Sequence, residues 1–342
     1  MASYGLTGLK VIGALAGLLA FSTLLAFAQP EPAPARKDIV VWDVPAIDAL
    51  PDDETGRLAR YGRSIIEATY AHIGPAARNS EDRYAGNNLA CANCHLRGGL
   101  KKFALPLVTA SADYPAYSAR TDAAISIFDR VNQCLKRSMN GRPMPESARP
   151  MQAILTYLRV LSTHIPDGGT IVGAGAGAMA ELDRPADAER GAAVYARQCA
   201  ACHRRDGLGV RRNVALPEMG YAVPPLWGPD SFNDGAGAAR LITLANFVHD
   251  NMPNGTSWVA PTLPPEEAWD VAAFVISQPR PRLAGLERDF PDLLLKPVDA
   301  GYPPYADSFS PEQHRYGPFA PIRAEIARLR ERHGEIPNPN TR

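Results

Sequence analysis

The chain has 342 residues, 46% of them hydrophobic and 21% charged, with a formal net charge of zero. That composition supports a buried core and argues against nucleic acid or an acidic membrane surface as a partner, since neither is drawn to a neutral surface. Thirty-two prolines disfavour a strand-rich body and predict long irregular connections.

At the N-terminus, Lys10 precedes an uncharged apolar run over residues 11–28 that ends in Ala26-Phe27-Ala28. A basic residue, an apolar stretch and an A-x-A site predict an export signal, 1–28, cleaved after Ala28. The run is nearly long enough to span a bilayer, so an uncleaved anchor is the alternative. Both readings put the remainder outside the cytoplasm, in the periplasm.

The next segments form a repeat. "RYGRSIIEATY" predicts a first helix, and "CANCH" follows, from Cys91 to His95. The basic stretch around Cys134 comes next, then "RPMQAILTYLRVLS", a terminal helix. The glycine- and alanine-rich stretch from residue 166 to 187 reads as a linker. Beyond it, "ERGAAVYARQCAACH" puts Gly191, Tyr195 and Cys199 at i, i+4 and i+8, on one helical face, and ends in the second motif, Cys199 to His203. "ARLITLANFVHDN" predicts another helix, and "LPPEEAWDVAAFVIS" an amphipathic terminal one.

C-x-x-C-H is the attachment motif of c-type haem. On one helical turn, two thiols reach the two vinyl groups of a porphyrin, and the adjacent histidine points at the iron from the same side. Redox and zinc sites also use C-x-x-C. Two motifs that each carry the histidine, in an exported chain, favour two covalently bound haem c groups. Cys91, Cys94, Cys199 and Cys202 then attach them, and His95 and His203 ligate iron. The expected fold is all-α. Two class I cytochrome c-like haem domains, 29–165 and 188–280, are joined by the linker 166–187. A largely irregular C-terminal extension, 281–342, packs on both.

The sixth iron ligand needs a separate argument. In the second domain Met252 lies 49 residues past His203 and is followed by proline. Met219, 16 residues past His203, and His249 are its rivals. In the first domain Met144 is likewise 49 residues past His95, so spacing alone predicts His/Met ligation twice. That would make a plain electron carrier, with Cys134 a buried bystander. Three observations favour Cys134 instead. Between Leu96 and Pro150 nine Lys or Arg stand against four acids, and cations favour a reactive thiolate. Thr121 can cap a helix running to about Met139, on which Arg130, Cys134 and Ser138 form one stripe. Ala124, Phe128, Val131 and Leu135 form a neighbouring apolar stripe. Finally, a thiolate ligand lowers an iron potential where methionine raises it, giving a downhill path between the two sites.

With these residues in view, the chain resembles the di-haem thiosulfate dehydrogenases, which form tetrathionate. It is more distantly similar to the haem-bearing A subunit of the sulfur-oxidising Sox system. The likeness covers most of the exported chain, including the tail "PYADSFSPEQHRYGPFAPI". It puts the family's cysteine haem ligand on Cys134, its substrate-site arginines on Arg120 and Arg130, and its serine on Ser138. It also implies that Met144 is not a ligand. Some relatives carry lysine just before the second-domain methionine; Asn251 stands there, so plain ligation by His203 and Met252 is expected. The implied reaction joins two thiosulfates into tetrathionate. Its electrons pass to an external acceptor such as a small cytochrome c or a high-potential iron–sulfur protein. The same site run backwards would reduce tetrathionate. Three rival classes are a non-catalytic carrier with two His/Met haems, a di-haem peroxidase, and a Sox-type subunit that needs a partner chain.

Overall fold

Helix α1 (Glu54–Glu67) starts at Asp53, whose carboxylate accepts from the Gly56 amide at 2.8 Å and satisfies one of the orphan donors of the first turn. These coordinates are a computed structural model, and it describes residues 42–166 and 171–332. The export signal 1–28 with its cleavage site after Ala28, linker residues 167–170 and the last ten residues lie outside the described residues.

In the first half, α1 is followed by the single turns α2 (Thr69–His72) and α3 (Leu96–Gly99), then α4 (Ile127–Arg137) and α5 (Arg149–Leu161). Ile65, Ile66, Ile154, Tyr157 and Leu161 form the core where α1 crosses α5. Gly62 allows the crossing: a Cβ there would stand 2.1 Å from the Ala153 carbonyl oxygen. In the second half, α6 (Ala188–Gln198) runs into the turn α7 (Ala200–His203), and α8 (Leu241–Asn251) and α9 (Pro265–Ser277) complete it. Here α6 crosses α9 at Gly191, where a Cβ would lie 1.9 Å from the Asp270 carbonyl oxygen. Tyr195, one turn on, packs with Trp227 and Phe274 at ring separations of 5.1–5.6 Å. The predicted face of Gly191, Tyr195 and Cys199 is therefore the face that meets the terminal helix.

The helical class holds, with two small antiparallel ribbons added. β1 (Ala116–Ser118) pairs with β2 (Ala123–Ile125), and β3 (Val210–Arg211) with β4 (Tyr221–Val223). The first ribbon corrects the expectation that Thr121 caps α4. Ser126 is the cap; it accepts from the Asp129 amide while the Asp129 carboxylate accepts from the Ser126 amide. This reciprocal pair outcompetes a lone threonine, and Ala124 leaves the apolar stripe for an exposed strand position.

The segment read as a linker is packed where it is described. Gly173 and Gly175 accept at their carbonyls from the Phe103 and Leu105 amides, at 2.7 and 2.9 Å. Further on, the Met179 amide donates to Asn246 and the Trp269 indole to Ala180. The chain thus stitches the halves together. The extension is irregular from 281 to 310, apart from turns at Leu286–Arg288 and Leu293–Leu295, but it ends in α10 (Pro311–Tyr316) and α11 (Ala320–Arg332). Phe319, Ile322 and Ile326 place α11 in the core of the second half, against Trp269. The 3.6-residue spacing of Phe319, Ile322 and Ile326 carried that signal, hidden among charged neighbours.

Replacing Gly191 with Ala should lower Tm. Helix propensity would gain about 1 kcal/mol, but overlap with a rigid carbonyl costs about 1–3 kcal/mol once the helices are forced apart. Gly62→Ala should behave alike. Thermal melts followed by far-UV circular dichroism test this, and an unchanged midpoint in both variants would show that neither crossing is tight.

Candidate functional site

Each C-x-x-C-H motif is anchored beside the end of a first helix. Cys91 is fixed by Thr69, which is fully buried: its hydroxyl donates to the Ile65 carbonyl at 2.8 Å, accepts from the Cys91 amide at 2.9 Å and lies 3.2 Å from the Cys91 sulfur. In the second motif α6 ends at Cys199, whose amide bonds the Tyr195 carbonyl. All five thiols are free of disulfides.

The two histidines are oriented the same way. His95 Nδ1 bonds the Leu105 carbonyl, and His203 Nδ1 bonds the Pro224 carbonyl at 2.9 Å. A carbonyl can only accept, so Nδ1 carries the proton and Nε2 keeps its lone pair for a metal. Burial lowers the pKa of both imidazoles against the pull of those carbonyls, and Arg130 lowers His95 further, which favours the neutral, ligating form. A cavity of about 360 Å³ opens between the motifs, with Leu226, Phe247, Val248, Val271 and Val275 in an apolar lining. Cys199, Cys202, His203 and Met252 face it from the second half, and Cys94, Leu96 and Leu105 from the first. Paired thiols, an oriented imidazole and an apolar wall are what a covalently held haem needs, so the residues fit the group. Met219 and His249 are not part of this lining. Met219 is exposed in a turn, and His249 Nδ1 is 2.7 Å from Asp250. Asn251 is fully buried and donates to Phe103 and Phe247 carbonyls, which anchors the residue before Met252 to the first half.

The first half has a second set of groups on α4. Arg130 Nη1 donates to the Cys134 sulfur at 3.3 Å, the predicted i, i+4 contact. Phe128, Val131 and Leu135 hold the helix on the core, which turns Cys134 toward the motif. Burial pushes the Cys91 and Cys94 thiols up to about 11, and Cys134 is near enough to add to both shifts. Tyr114 stands beside the pair; burial raises its hydroxyl, partly offset by the Arg130 charge. The same contacts act on Arg130, raised by Cys134 first and then, against desolvation, by Tyr114. Ser138 ends the helix, its amide bonded to the Cys134 carbonyl at 2.8 Å, and its hydroxyl makes no hydrogen bond among the described residues. Met144 is 1% exposed in the first core, with its amide and carbonyl both bonded to the Asn132 side chain.

Arg120 is held elsewhere. Its Nη1 is 2.6 Å from Asp289 and 3.2 Å from the Tyr302 hydroxyl, both in the extension. The structure therefore joins Arg130, Cys134 and Ser138 on one element and gives Arg120 a partner of its own. Tyr114, Thr69, Asp289 and Tyr302 escaped the sequence reading, because nothing in their local pattern marks a distant partner, which for Tyr302 is 182 residues away.

Residues 81–166 match the SoxA/TsdA cytochrome c domain model, and residues 186–275 match the model for cytochrome C oxidase, cbb3-type, subunit III. The thiosulfate dehydrogenase of Allochromatium vinosum is 37% identical over 273 residues, covering 78% of this chain and 92% of the relative. That of Thiomonas intermedia is 35% identical over 274 residues, covering 78% and 82%. Among solved structures, the "as isolated" form of thiosulfate dehydrogenase (TsdBA) from Marichromatium purpuratum aligns with a TM-score of 0.63 at 32% identity. The alignment covers 71% of this chain and 50% of that one.

Thr69→Val keeps the shape and removes three polar contacts. Leaving the Cys91 amide unpaired should cost about 1–3 kcal/mol. Urea unfolding of the two proteins measures this, and equal midpoints would show that Thr69 is not what fixes Cys91.

Proposed function

The chain belongs to the thiosulfate dehydrogenase family, and from that premise we propose that it is an exported, periplasmic enzyme that joins two thiosulfates into tetrathionate. The observation that carries the proposal is the Arg130–Cys134 contact beside the first attachment motif. A cation against a sulfur is the arrangement a nucleophilic thiolate requires, and a plain carrier has no use for it.

Haem c, bound through Cys91 and Cys94 and again through Cys199 and Cys202, supplies a one-electron acceptor at each motif, two for the two electrons released. His95 and Cys134 would hold the first iron, and His203 and Met252 the second. Arg130 and Arg120 bind the sulfonate oxygens, since guanidinium forks match anionic oxygens and offset repulsion between two dianions. The Cys134 thiolate forms an S–S bond to the outer sulfur of one thiosulfate, giving up two electrons in all. The outer sulfur of the second thiosulfate then attacks that sulfur, and the Cys134 sulfur leaves as thiolate. Tetrathionate departs with charge balanced, and no proton is consumed. The free Ser138 hydroxyl orients a sulfonate oxygen. Each step can run in reverse, so the same groups serve tetrathionate reduction when the acceptor's potential favours it. Electrons leave through the second half to an external acceptor, a small cytochrome c or a high-potential iron–sulfur protein. Contact of both motifs with one cavity supports a short path between the halves.

Cys134→Ala should abolish tetrathionate formation while both haems stay attached. Met144→Ala should leave most turnover intact, because Met144 packs in the core. A Cys134→Ala protein that still makes tetrathionate at the parental rate would sink this mechanism, and the plain-carrier reading predicts that Met144→Ala alone perturbs the first haem.

Met252→Gly should lower the potential of one haem and slow reduction of an artificial acceptor, with thiosulfate KM nearly unchanged. Redox titration reads this. An unaltered titration curve would transfer the role to another residue.

A further inference from the structure

The region around Asp289 contains two arginines and a lysine against one carboxylate, and none of them lines the cavity between the motifs. Asp289 lies in the irregular part of the extension and is 8% exposed. Its Oδ1 accepts from Arg137 Nη2 at 2.8 Å. Its Oδ2 accepts from Arg137 Nη1 at 2.9 Å, Arg120 Nη1 at 2.6 Å and the Tyr302 hydroxyl at 2.9 Å. Arg137 sits one turn after Cys134 on α4. Burial alone would raise the Asp289 carboxyl, but the Arg137 hydrogen bonds and the charges of Arg120 and Arg137 hold it below the usual carboxylate range.

The two arginines use the carboxylate differently. Arg137 engages both oxygens, the bidentate geometry that anchors a chain segment. Arg120 reaches the carboxylate through Nη1 alone, which also lies 3.2 Å from the Tyr302 hydroxyl, and its Nε and Nη2 have no partner among the described residues. That unused edge carries the two parallel N–H groups that fit a sulfonate. The guanidinium is also held in plane: it lies 4.9 Å over the Phe290 ring, and the Phe290 amide bonds the Arg120 carbonyl at 3.0 Å. Phe290 takes φ of +63°, a left-handed conformation unfavourable for a bulky side chain. Strain of this kind persists where surrounding contacts enforce it, and two of those contacts are with Arg120. Lys296 lies nearby, its Nζ donating to Tyr302 and Pro304 carbonyls, so the cluster keeps an excess of positive charge.

We propose that Asp289 is a positioning residue of the thiosulfate site, holding one side of Arg120 so that its free edge meets the sulfonate. The inference rests on the reading that Arg120 binds substrate. Through Asp289 the extension sets substrate affinity, while Arg130 and Cys134 set the chemistry.

Steady-state kinetics on the full-length haem-loaded protein, with thiosulfate and an artificial acceptor, test it. Asp289→Asn should raise KM by roughly tenfold, the loss of one charge-assisted contact, with kcat and both haem spectra retained. In an Arg120→Gln background the same change should add nothing. Tyr302→Phe, which removes only one hydroxyl from the cluster, should raise KM by a smaller factor with the same dependence on Arg120, and it decides the matter if Asp289→Asn does not fold. If Arg120→Gln raises KM and neither Asp289→Asn nor Tyr302→Phe does, the positioning role is wrong and the reading of Arg120 stands. A KM rise that persists in full without Arg120 also overturns it. An Arg120→Gln protein with normal KM removes the reading of Arg120, and the proposal with it.

Discussion

The close approach of two helices at a glycine, made once in each half, is the constraint the remaining structure depends on. At Gly62 and Gly191 the first helix meets the carbonyl of the terminal helix with no room for a side chain. Cys199 follows the end of its first helix directly, whereas Cys91 returns to the end of α1 from a later segment. Thr69 in one half and Tyr195 in the other then carry the fixed position to Cys91 and Cys199. A looser crossing would move the thiols relative to the Leu105 and Pro224 carbonyls that orient the histidines. The apolar crossing supplies stability, and its geometry sets where the C-x-x-C-H motifs lie.

Upon this repeated frame the first half carries a departure. Its loop forms a helix that brings Arg130 and Cys134 to the motif, while the methionine at the equivalent spacing is drawn into the core by Asn132. The second half keeps its methionine at the cavity. One architecture then holds two unlike surroundings, a basic one on α4 and an apolar one at the cavity. Buried charge is tolerated in the first because it is paired: Asp289 neutralises part of the arginine cluster and ties it to the extension. The extension is therefore tied to α4 and to Arg120 rather than hanging free as a tail. Its helix α11 is rooted in the core of the second half while its irregular stretch reaches the first.

Much of this was legible in the residues. The motifs, the helix faces and the i, i+4 placement of Arg130 and Cys134 follow from local periodicity, which a sequence displays directly. The cap of α4 was misread because two nearby residues, Thr121 and Ser126, offer hydroxyls, and only Ser126 has a carboxylate three residues on to reciprocate. The segment 171–187 was read as a spacer from its glycines. They take positive φ at Gly173, Gly175 and Gly177, and the Gly173 and Gly175 carbonyls accept from the Phe103 and Leu105 amides.

By itself the sequence displayed the two C-x-x-C-H motifs, the repeat and the Arg130–Cys134 stripe on α4, because each is set by residues within a few turns of one another. Only the tertiary structure decided that Met144 is buried, that Met252 reaches the cavity, and that Arg120 answers to a carboxylate 169 residues away. Methionine spacing is the same in both halves, so it carries no information about which side chain turns inward. That choice depends on what else packs against the loop. A buried ion pair likewise has no local signature: its partners are selected by the folded chain, through the cost of leaving either charge unpaired out of water.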